Sequence, residues 1–159
     1  MEIIDNFLNQ KEFELIQNML LGHEIEWYFS SITTEKRHLD EFQFCHIFYR
    51  DGEPGKNYSL IAPLINKIGP FCVVSIKANL LTKTDNIREY GFHVDIDKKH
   101  LTTAVFYINT CNGYTLFRDG KKVESIANRL VIFDAQELHT GSSCTNESRR
   151  VVINLNYFK

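Results

Sequence analysis

The sequence lacks the features that mark membrane-bound, secreted or nucleic-acid-binding proteins. Its 18 lysine and arginine residues nearly balance its 20 aspartate and glutamate residues, so the net charge of -2 gives no general attraction to nucleic acid or anionic membranes. No apolar run approaches the roughly 20 residues that a membrane-spanning helix needs. The amino-terminal residues 1–5 do not resemble a signal peptide. We therefore expect a cytoplasmic protein with no membrane partner.

The cysteines lack the spacing of a metal or redox site. Cys45, Cys72, Cys111 and Cys144 are scattered along the chain, and no Cys-x-x-Cys pair occurs. Without a secretory signal, such cysteines are better interpreted as reduced thiols than as disulfides or zinc ligands. This pattern also favours the reducing cytoplasm.

What is present is a sequence of ordinary globular composition that is rich in aromatic residues. The 159 residues are 43% hydrophobic and include twelve Phe and seven Tyr. No repeat, linker or low-complexity segment divides the chain, so we expect one domain over residues 1–159. Within it, residues 1–70 would form an amino-terminal support and lid, and residues 71–159 the core.

The predicted elements change character near residue 70. Before it, helical spacing predicts helices over 11–21 and 59–68, with strands over 2–8, 25–30 and 42–49 and a polar loop over 31–40. After it, strand patterns separated by turns predominate. These strands are predicted over residues 71–81, 91–96, 102–109, 114–117, 122–125, 128–133, 138–141 and 151–157. Two helices followed by many short strands predict an α+β fold with a carboxy-terminal β-sandwich or jelly-roll barrel.

The segment Tyr-Gly-Phe-His-Val-Asp at residues 90–95 carries the clearest chemical signal. Side chains alternate between the faces of a strand, so His93 and Asp95 would point the same way. One imidazole and one carboxylate are two of the three ligands of the facial triad that binds non-haem Fe(II) and leaves coordination positions open. His139, at the end of a later predicted strand, is the candidate third ligand.

A His-x-Asp motif is weak by itself, and the chain offers alternatives. The pair could be an ordinary polar pair on a partly exposed strand. His38 and Asp40 have the same spacing, but they lie in the predicted polar loop, where nothing holds both side chains on one face. Asp97 would share a face with His93 and competes with Asp95 for the carboxylate position. The closer spacing favours Asp95.

An arginine pair at the start of the last predicted strand suggests a cosubstrate site. Activation of O2 at Fe(II) needs electrons, which a 2-oxo acid can supply. The distal carboxylate of that 2-oxo acid then needs a cation in the protein. The planar guanidinium of arginine suits a carboxylate better than the ammonium of lysine. Arg149 and Arg150 would point to opposite faces of the strand. Asn154 and Asn156 share the face of Arg150, as expected for a polar, ligand-lined interior. We therefore favour Arg150 as the cation that binds the distal carboxylate and keep Arg149 as the alternative. Both arginines could also be solvated charges at a strand edge, with no role in binding.

Taken together, these residues resemble the Fe(II)/2-oxoglutarate-dependent dioxygenases, and most closely the prolyl 4-hydroxylase-like branch with its short bacterial and viral members. The resemblance covers about residues 71–159, and the opening strand and helix are also similar to the family's amino terminus. It rests on His-Val-Asp at 93–95, Asn-Gly-Tyr-Thr-Leu-Phe at 112–117, His-Thr-Gly at 139–141 and Arg150.

The resemblance implies a double-stranded β-helix with the amino-terminal helices packed on one sheet. It implies that His93, Asp95 and His139 bind Fe(II) and that Arg150 binds the C5 carboxylate of 2-oxoglutarate, with O2 as the second cosubstrate. Tyr90 matches a position where the family often has a tyrosine near the cosubstrate.

Two departures from the family pattern qualify this assignment. The family often has a tyrosine on the strand before the motif, whereas this chain has Asn-Leu-Leu at 79–81, so Asn79 or Thr82 would replace that contact. The spacing from His139 to Arg150 is one residue longer than in many prolyl hydroxylases. Arg149 therefore stays an alternative to Arg150 as the residue that binds the C5 carboxylate of 2-oxoglutarate.

The implied activity is hydroxylation of a C–H bond in a protein, peptide or small-molecule substrate. Residues 31–58 are polar and irregular over much of their length and would form a substrate-facing lid. Nucleic acid is a less attractive substrate, since the segment has no basic stripe, but it stays an alternative. Two other functions compete: a cupin-like metal enzyme that does not use 2-oxoglutarate, and a non-catalytic jelly-roll binding module.

Overall fold

The computed structural model describes residues 1–31 and 41–159, which form two helices, one 3₁₀ turn and eleven strands. The helices are α1 (Gln10–Leu21) and α2 (Ala62–Ile68), and the 3₁₀ turn Tyr58–Ile61 leads into α2. The strands are β1 (Glu2–Ile4), β2 (Tyr28–Ser31), β3 (Phe42–Arg50), β4 (Glu53–Pro54), β5 (Cys72–Thr82), β6 (Thr102–Tyr107), β7 (Tyr114–Phe117), β8 (Lys122–Glu124), β9 (Leu130–Asp134), β10 (His139–Gly141) and β11 (Arg149–Phe158).

Both helices follow the signals in their sequences. Asn9 caps α1: its Oδ1 accepts a hydrogen bond from the Glu12 backbone N–H at 3.0 Å. One stripe of α1 is buried, as the apolar spacing predicts. The second helix ends at Gly69, which has a positive φ of 64° that glycine adopts without strain.

A large antiparallel sheet forms the centre of the fold, in the order β1-β9-β6-β11-β5-β3-β2, with β4 paired to β3. Strand β11 lies in the middle, between β5 and β6. One face of the sheet carries Val151, Ile153 and Leu155 of β11 and packs against both helices. This arrangement confirms the α+β class and the predicted packing of the amino-terminal helices on one sheet.

The opposite face of the large sheet faces a small antiparallel sheet in the order β10-β7-β8. Two isolated bridges, Glu89 with Ser142 and His93 with His139, place the segment before β6 alongside β10. A small apolar cluster that includes Tyr107, Phe117 and Val152 lies between the sheets. The two facing sheets form the jelly-roll arrangement that the strand pattern predicted and the double-stranded β-helix that the resemblance implied.

Three predicted strands differ from the structure, and the one predicted over residues 25–30 begins only at Tyr28. The predicted strand over 91–96 is wrong: only His93 makes a bridge, because Gly91 has a φ of 85° and the chain bends at Asp95. The first strand ends at Ile4 rather than at residue 8. Asn6 has a φ of 51°, and beyond it the Leu8 backbone is held by a side chain from elsewhere in the chain rather than by a strand.

Some sequence interpretations lie outside the described residues. The competing pair His38 and Asp40 belongs to residues 32–40, as does most of the predicted polar loop. Among the helices that the structure describes, none has the length and apolar character needed to cross a membrane.

Candidate active site

Three candidate metal ligands lie together at the mouth of the space between the sheets. The ligand atoms of His93, Asp95 and His139 all lie within 4.8 Å of one another. His93 Nε2 is 3.6 Å from Asp95 Oδ1, and the two imidazole rings are centred 4.9 Å apart. The spacing of these atoms and their chemistry of two imidazoles and one carboxylate fit a single Fe(II) ion.

An antiparallel bridge, rather than strand alternation, brings the two histidines together. The His93 N–H donates to the His139 carbonyl at 2.9 Å, and the His139 N–H donates to the His93 carbonyl at 3.0 Å. Asp95 then reaches the same space because the chain bends directly after the bridge. His93 and Asp95 do lie together, as predicted. The predicted cause, alternation along one continuous strand, is wrong, because the bridge at His93 and the bend at Asp95 bring them together.

Backbone carbonyls orient both imidazoles toward a ligand. His93 Nδ1 lies 3.1 Å from the Gly91 carbonyl oxygen, and His139 Nδ1 lies 3.0 Å from the Glu137 carbonyl oxygen. A proton on each Nδ1 satisfies these contacts and leaves each Nε2 lone pair free to coordinate a metal. The ring of Phe133 packs edge-on against His139, with centroids 4.8 Å apart, and limits its rotation.

The electrostatics of the cluster suit a cation. Burial alone would raise the pKa of Asp95, but its contact with His93 and the charges of Lys77 and His139 lower that pKa to about 2. Burial lowers the pKa of His139, so this imidazole favours the neutral, coordinating form. The pKa of His93 is raised, chiefly by Asp95. The lowered pKa keeps Asp95 an ionised carboxylate at neutral pH, which suits a cation ligand.

The competing carboxylate, Asp97, does not join the cluster. It is exposed, and its Oδ1 accepts a hydrogen bond from Gln136 Nε2 at 2.9 Å. The outer oxygen of Asp95 instead lies 3.5 Å from Asn154 Nδ2. Asn154 therefore holds the carboxylate from the side of the large sheet.

Arg150 lines the same cavity and, within the described part of the chain, has one unpaired hydrogen-bond donor. It is only 3% exposed, and its Nη2 donates to Thr115 Oγ1 at a long 3.3 Å. Within the described residues its Nε has no acceptor. The guanidinium lies 5.5 Å from the centre of the Tyr107 ring, and the Tyr107 hydroxyl donates to Thr115 Oγ1 at 2.8 Å. A buried guanidinium with one unpaired donor and one long hydrogen bond suits the binding of a carboxylate.

The path of the Arg150 side chain requires a glycine at position 113. A Cβ at Gly113 would lie 2.6 Å from Arg150 Cδ and 2.7 Å from the Ser143 carbonyl oxygen. Neither distance is tolerated by a real side chain. The Asn-Gly turn that precedes β7 in the sequence therefore leaves room for the arginine.

Arg149 leaves β11 in the other direction. Its Nη2 donates to the Leu21 carbonyl oxygen at the carboxy-terminal end of α1. Arg149 does not belong to the residues that line the cavity, and Arg150 does. The solvated-edge interpretation of the pair is wrong, because Arg150 is buried.

The cavity has a volume of about 350 Å³. Its walls are polar over much of their area, and they include both softer sequence assignments, Asn79 and Tyr90. Asn79 Oδ1 accepts a hydrogen bond from Cys45 Sγ at 3.3 Å. Tyr90 is 9% exposed, and burial raises the pKa of its hydroxyl. Thr82, the alternative to Asn79, is exposed and lies outside the lining.

Sequence reasoning did not single out Lys77, which lines the cavity, or Tyr107, which packs against Arg150. Lys77 could have been found: Ser75, Lys77 and Asn79 alternate with apolar residues along β5, which is the pattern of a strand with one polar face. Tyr107 ends an apolar strand and gives no such signal, because only its tertiary contact with Arg150 distinguishes it from a core residue.

Neither a family model nor a curated protein sequence matches this chain. Solved structures do share its fold. A prolyl hydroxylase from Trichoplax adhaerens in complex with a hypoxia inducible factor peptide fragment matches 99% of this chain and 82% of its own, with a TM-score of 0.71 and 15% identity. A prolyl-4-hydroxylase from Pseudomonas putida aligns with 99% of this chain over 92% of its own length, with a TM-score of 0.63 and 18% identity. HygX from Streptomyces hygroscopicus, with nickel and 2-oxoglutarate bound, aligns with 98% of this chain over 81% of its own length, with a TM-score of 0.68 and 10% identity.

These likenesses define the class of the fold. The chain has the double-stranded β-helix that is found in those oxygenases, over nearly its whole described length. At 10–18% identity the likeness concerns the fold, so the chemistry has to be argued from the residues of this chain.

Proposed function

We propose that this protein is an Fe(II)- and 2-oxoglutarate-dependent dioxygenase that hydroxylates a C–H bond of a peptide or small-molecule substrate. The observation that carries the proposal is the joint presence, in one cavity, of the His93, Asp95 and His139 cluster and the buried, unsatisfied guanidinium of Arg150. Neither the cluster nor the arginine alone would distinguish this activity from other metal chemistry or from simple anion binding. A metal-ligand cluster and a buried arginine with an unpaired Nε in the same small cavity fit a metal together with a dicarboxylate cosubstrate.

In this proposal each residue has a defined task. His93, Asp95 and His139 hold the ion on one side and leave its other positions open to the cavity. Arg150 binds the C5 carboxylate of 2-oxoglutarate, with Thr115 Oγ1 as a neighbouring hydroxyl. When bound, Fe(II) and 2-oxoglutarate supply the activation of O2 and the oxidation of the substrate, and the protein supplies orientation and exclusion of water.

Asn79 and Tyr90 are the proposed further contacts to 2-oxoglutarate. Asn79 pairs with Val152 on β11, two residues beyond Arg150 on the same face, so its amide lies between the arginine and the metal ligands. Tyr90 lies on the opposite wall, in the segment that pairs with β10. The two side chains would hold the cosubstrate from opposite sides.

The substrate would approach over the edge of the large sheet. Ser30, Ser31 and Gln43, from β2 and β3, line the cavity there, and they fall inside or beside the segment proposed as a lid, residues 31–58. A peptide is one substrate class to test, because one structure with this fold is a prolyl hydroxylase in complex with a peptide fragment. The small cavity volume fits a single side chain or a small molecule equally well.

The proposal is tested by anaerobic visible spectroscopy, which requires no knowledge of the substrate. Metal-free protein receives Fe(II) and then increasing 2-oxoglutarate. We expect a metal-to-ligand charge-transfer band that is lost in His93→Ala and that needs at least ten-fold more 2-oxoglutarate in Arg150→Ala. Arg118→Ala, which removes an exposed arginine outside the cavity, is the matched control and should behave as wild type.

Other outcomes would favour the competing functions. Tight Fe(II) binding without a band would favour a cupin-like metal enzyme that does not use 2-oxoglutarate. Absence of Fe(II) binding to a folded protein would favour a non-catalytic binding module.

A further inference from the structure

A second cation, Lys77, lines the cavity at the level of the metal ligands. Lys77 pairs with Asn154 across β5 and β11, and the Asn154 amide in turn contacts Asp95. Arg150 pairs with Leu81, four residues away along the same strands. At the rise of a β-strand, four residues correspond to about 13 Å, so the two cations lie at different ends of the cavity.

The Lys77 ammonium lowers the pKa of Asp95 through its charge, but it contacts no acceptor among the described residues. The side chain is half-buried, and within the part of the chain that the structure describes it makes no hydrogen bond and no close ion pair. A lysine solely needed for solubility would point away from the cavity, and partial burial of an unpaired ammonium costs free energy. The position suggests that its partner is a ligand.

The cosubstrate does not supply that partner. In the proposed function, one carboxylate of 2-oxoglutarate goes to Arg150 and the other goes to the metal, so both are used. A partner for Lys77 would therefore be a carboxylate that belongs to a second ligand in the cavity.

We propose that Lys77 binds a carboxylate of the primary substrate, and that the substrate is therefore a small carboxylic acid such as a free amino acid. This inference rests on the proposed function of the same site. A cavity of about 350 Å³ is near the lower limit for ligand pockets, so the part of the substrate that enters beside 2-oxoglutarate is small. A single ammonium matches a carboxylate better than a phosphate, which carries a charge of about -1.5 to -2 at neutral pH.

The test measures binding rather than turnover. Protein loaded with Fe(II) and saturating 2-oxoglutarate is titrated without oxygen with each of the twenty common L-amino acids and with their carboxamides. Binding is measured as a shift in the wavelength of the charge-transfer band and as the heat released in a calorimeter. We expect at least one free acid to shift the band, and its amide to require at least ten-fold higher concentration.

Three variants make the test specific to Lys77. Lys77→Met should weaken binding of the active acid at least ten-fold while the 2-oxoglutarate dependence of the band stays as in wild type. Lys77→Arg should retain most of the affinity, because the charge is kept. Lys83→Met, which removes an exposed lysine one residue beyond β5, should match wild type.

The outcomes separate this inference from the proposed function. If the band forms normally but no amino acid shifts it, or amides act as well as acids, the assignment of Lys77 to a carboxylic acid substrate is overturned. If Lys77→Met alters the 2-oxoglutarate dependence instead, Lys77 serves the cosubstrate and the inference is wrong. If the band never forms in wild-type protein, the proposed function itself fails.

Discussion

Arg149 and Arg150 are adjacent in the sequence, yet one guanidinium donates to the Leu21 carbonyl at the end of α1 while the other lies in the cavity beside Thr115. The alternation of side chains along β11 directs the first toward the helix layer and the second toward the space between the sheets. The pair therefore offers a matched comparison, since the same substitution at neighbouring positions should affect two different properties.

Arg149→Ala should lower stability without affecting cosubstrate binding. The substitution removes a charged donor from the Leu21 carbonyl, which we expect to cost about 1–2 kcal/mol in the free energy of unfolding. Arg150→Ala should instead raise the 2-oxoglutarate requirement at least ten-fold. Denaturant unfolding and the charge-transfer titration measure the two effects. An increased 2-oxoglutarate requirement in Arg149→Ala would contradict the assignment.

Gly113→Ala should impair both stability and 2-oxoglutarate binding. The added Cβ would lie 2.6 Å from Arg150 Cδ and 2.7 Å from the Ser143 carbonyl, so the arginine or the backbone must move. We expect a loss of about 1–3 kcal/mol, as for other overpacked sites, and a weaker response to 2-oxoglutarate. A variant that unfolds at the wild-type denaturant concentration and binds 2-oxoglutarate normally would show that the close approach is not needed.

Asn128 should be important for attachment of the amino-terminal segment. Its side chain accepts from the Leu8 N–H at 2.9 Å and donates to the Leu8 carbonyl at 2.8 Å, and its own φ is 63°. Asn128→Gly keeps the backbone conformation and loses both hydrogen bonds, so we expect a cost of about 1–3 kcal/mol. Asn128→Ala adds the strain of a positive φ and should cost about 1 kcal/mol more. Equal stability of the two variants would contradict the role of the backbone conformation.

The ion pair between Asp5 and Arg129 predicts a small pH dependence of stability. Arg129 Nε lies 2.5 Å from Asp5 Oδ1 and Nη2 lies 3.0 Å from Oδ2, and the hydrogen bond to Arg129 lowers the pKa of Asp5. A carboxyl group whose pKa is lower in the folded protein than in the unfolded chain stabilises the fold at pH values above the unfolded pKa. That stabilisation is lost as the pH falls through the folded pKa. Wild type should therefore exceed Asp5→Asn in stability at pH 7 by less than about 1 kcal/mol, since the pair is exposed, and the difference should vanish in strong acid. A difference that grows as the pH falls would contradict this sign.

Local patterns in the sequence predicted much of the fold. Helix α1 could be placed because Asn9 caps it and its apolar residues recur at helical spacing, and both signals are local. The choice of Arg150 over Arg149 followed from the alternation along β11, which is also local. In the structure the chosen arginine lines the cavity.

Contacts between distant segments could not be read from the same patterns. His93 and Asp95 converge because His93 pairs with His139 and the chain then bends, whereas the sequence suggested a continuous strand. The need for glycine at position 113 depends on a side chain that begins on a different strand. The polar face of β5 that carries Lys77 is visible in the sequence, but only the contacts between strands place that face in the cavity.

In the proposed function, the His93, Asp95 and His139 cluster and Arg150 serve one ligand pair, a metal and 2-oxoglutarate. The most direct measurement is a calorimetric titration of 2-oxoglutarate into metal-free and Fe(II)-loaded protein without oxygen. We predict at least ten-fold tighter binding when the metal is present, and no such gain in His139→Ala. Equal affinity with and without the metal in wild-type protein would contradict the account, because the two sites would then be independent.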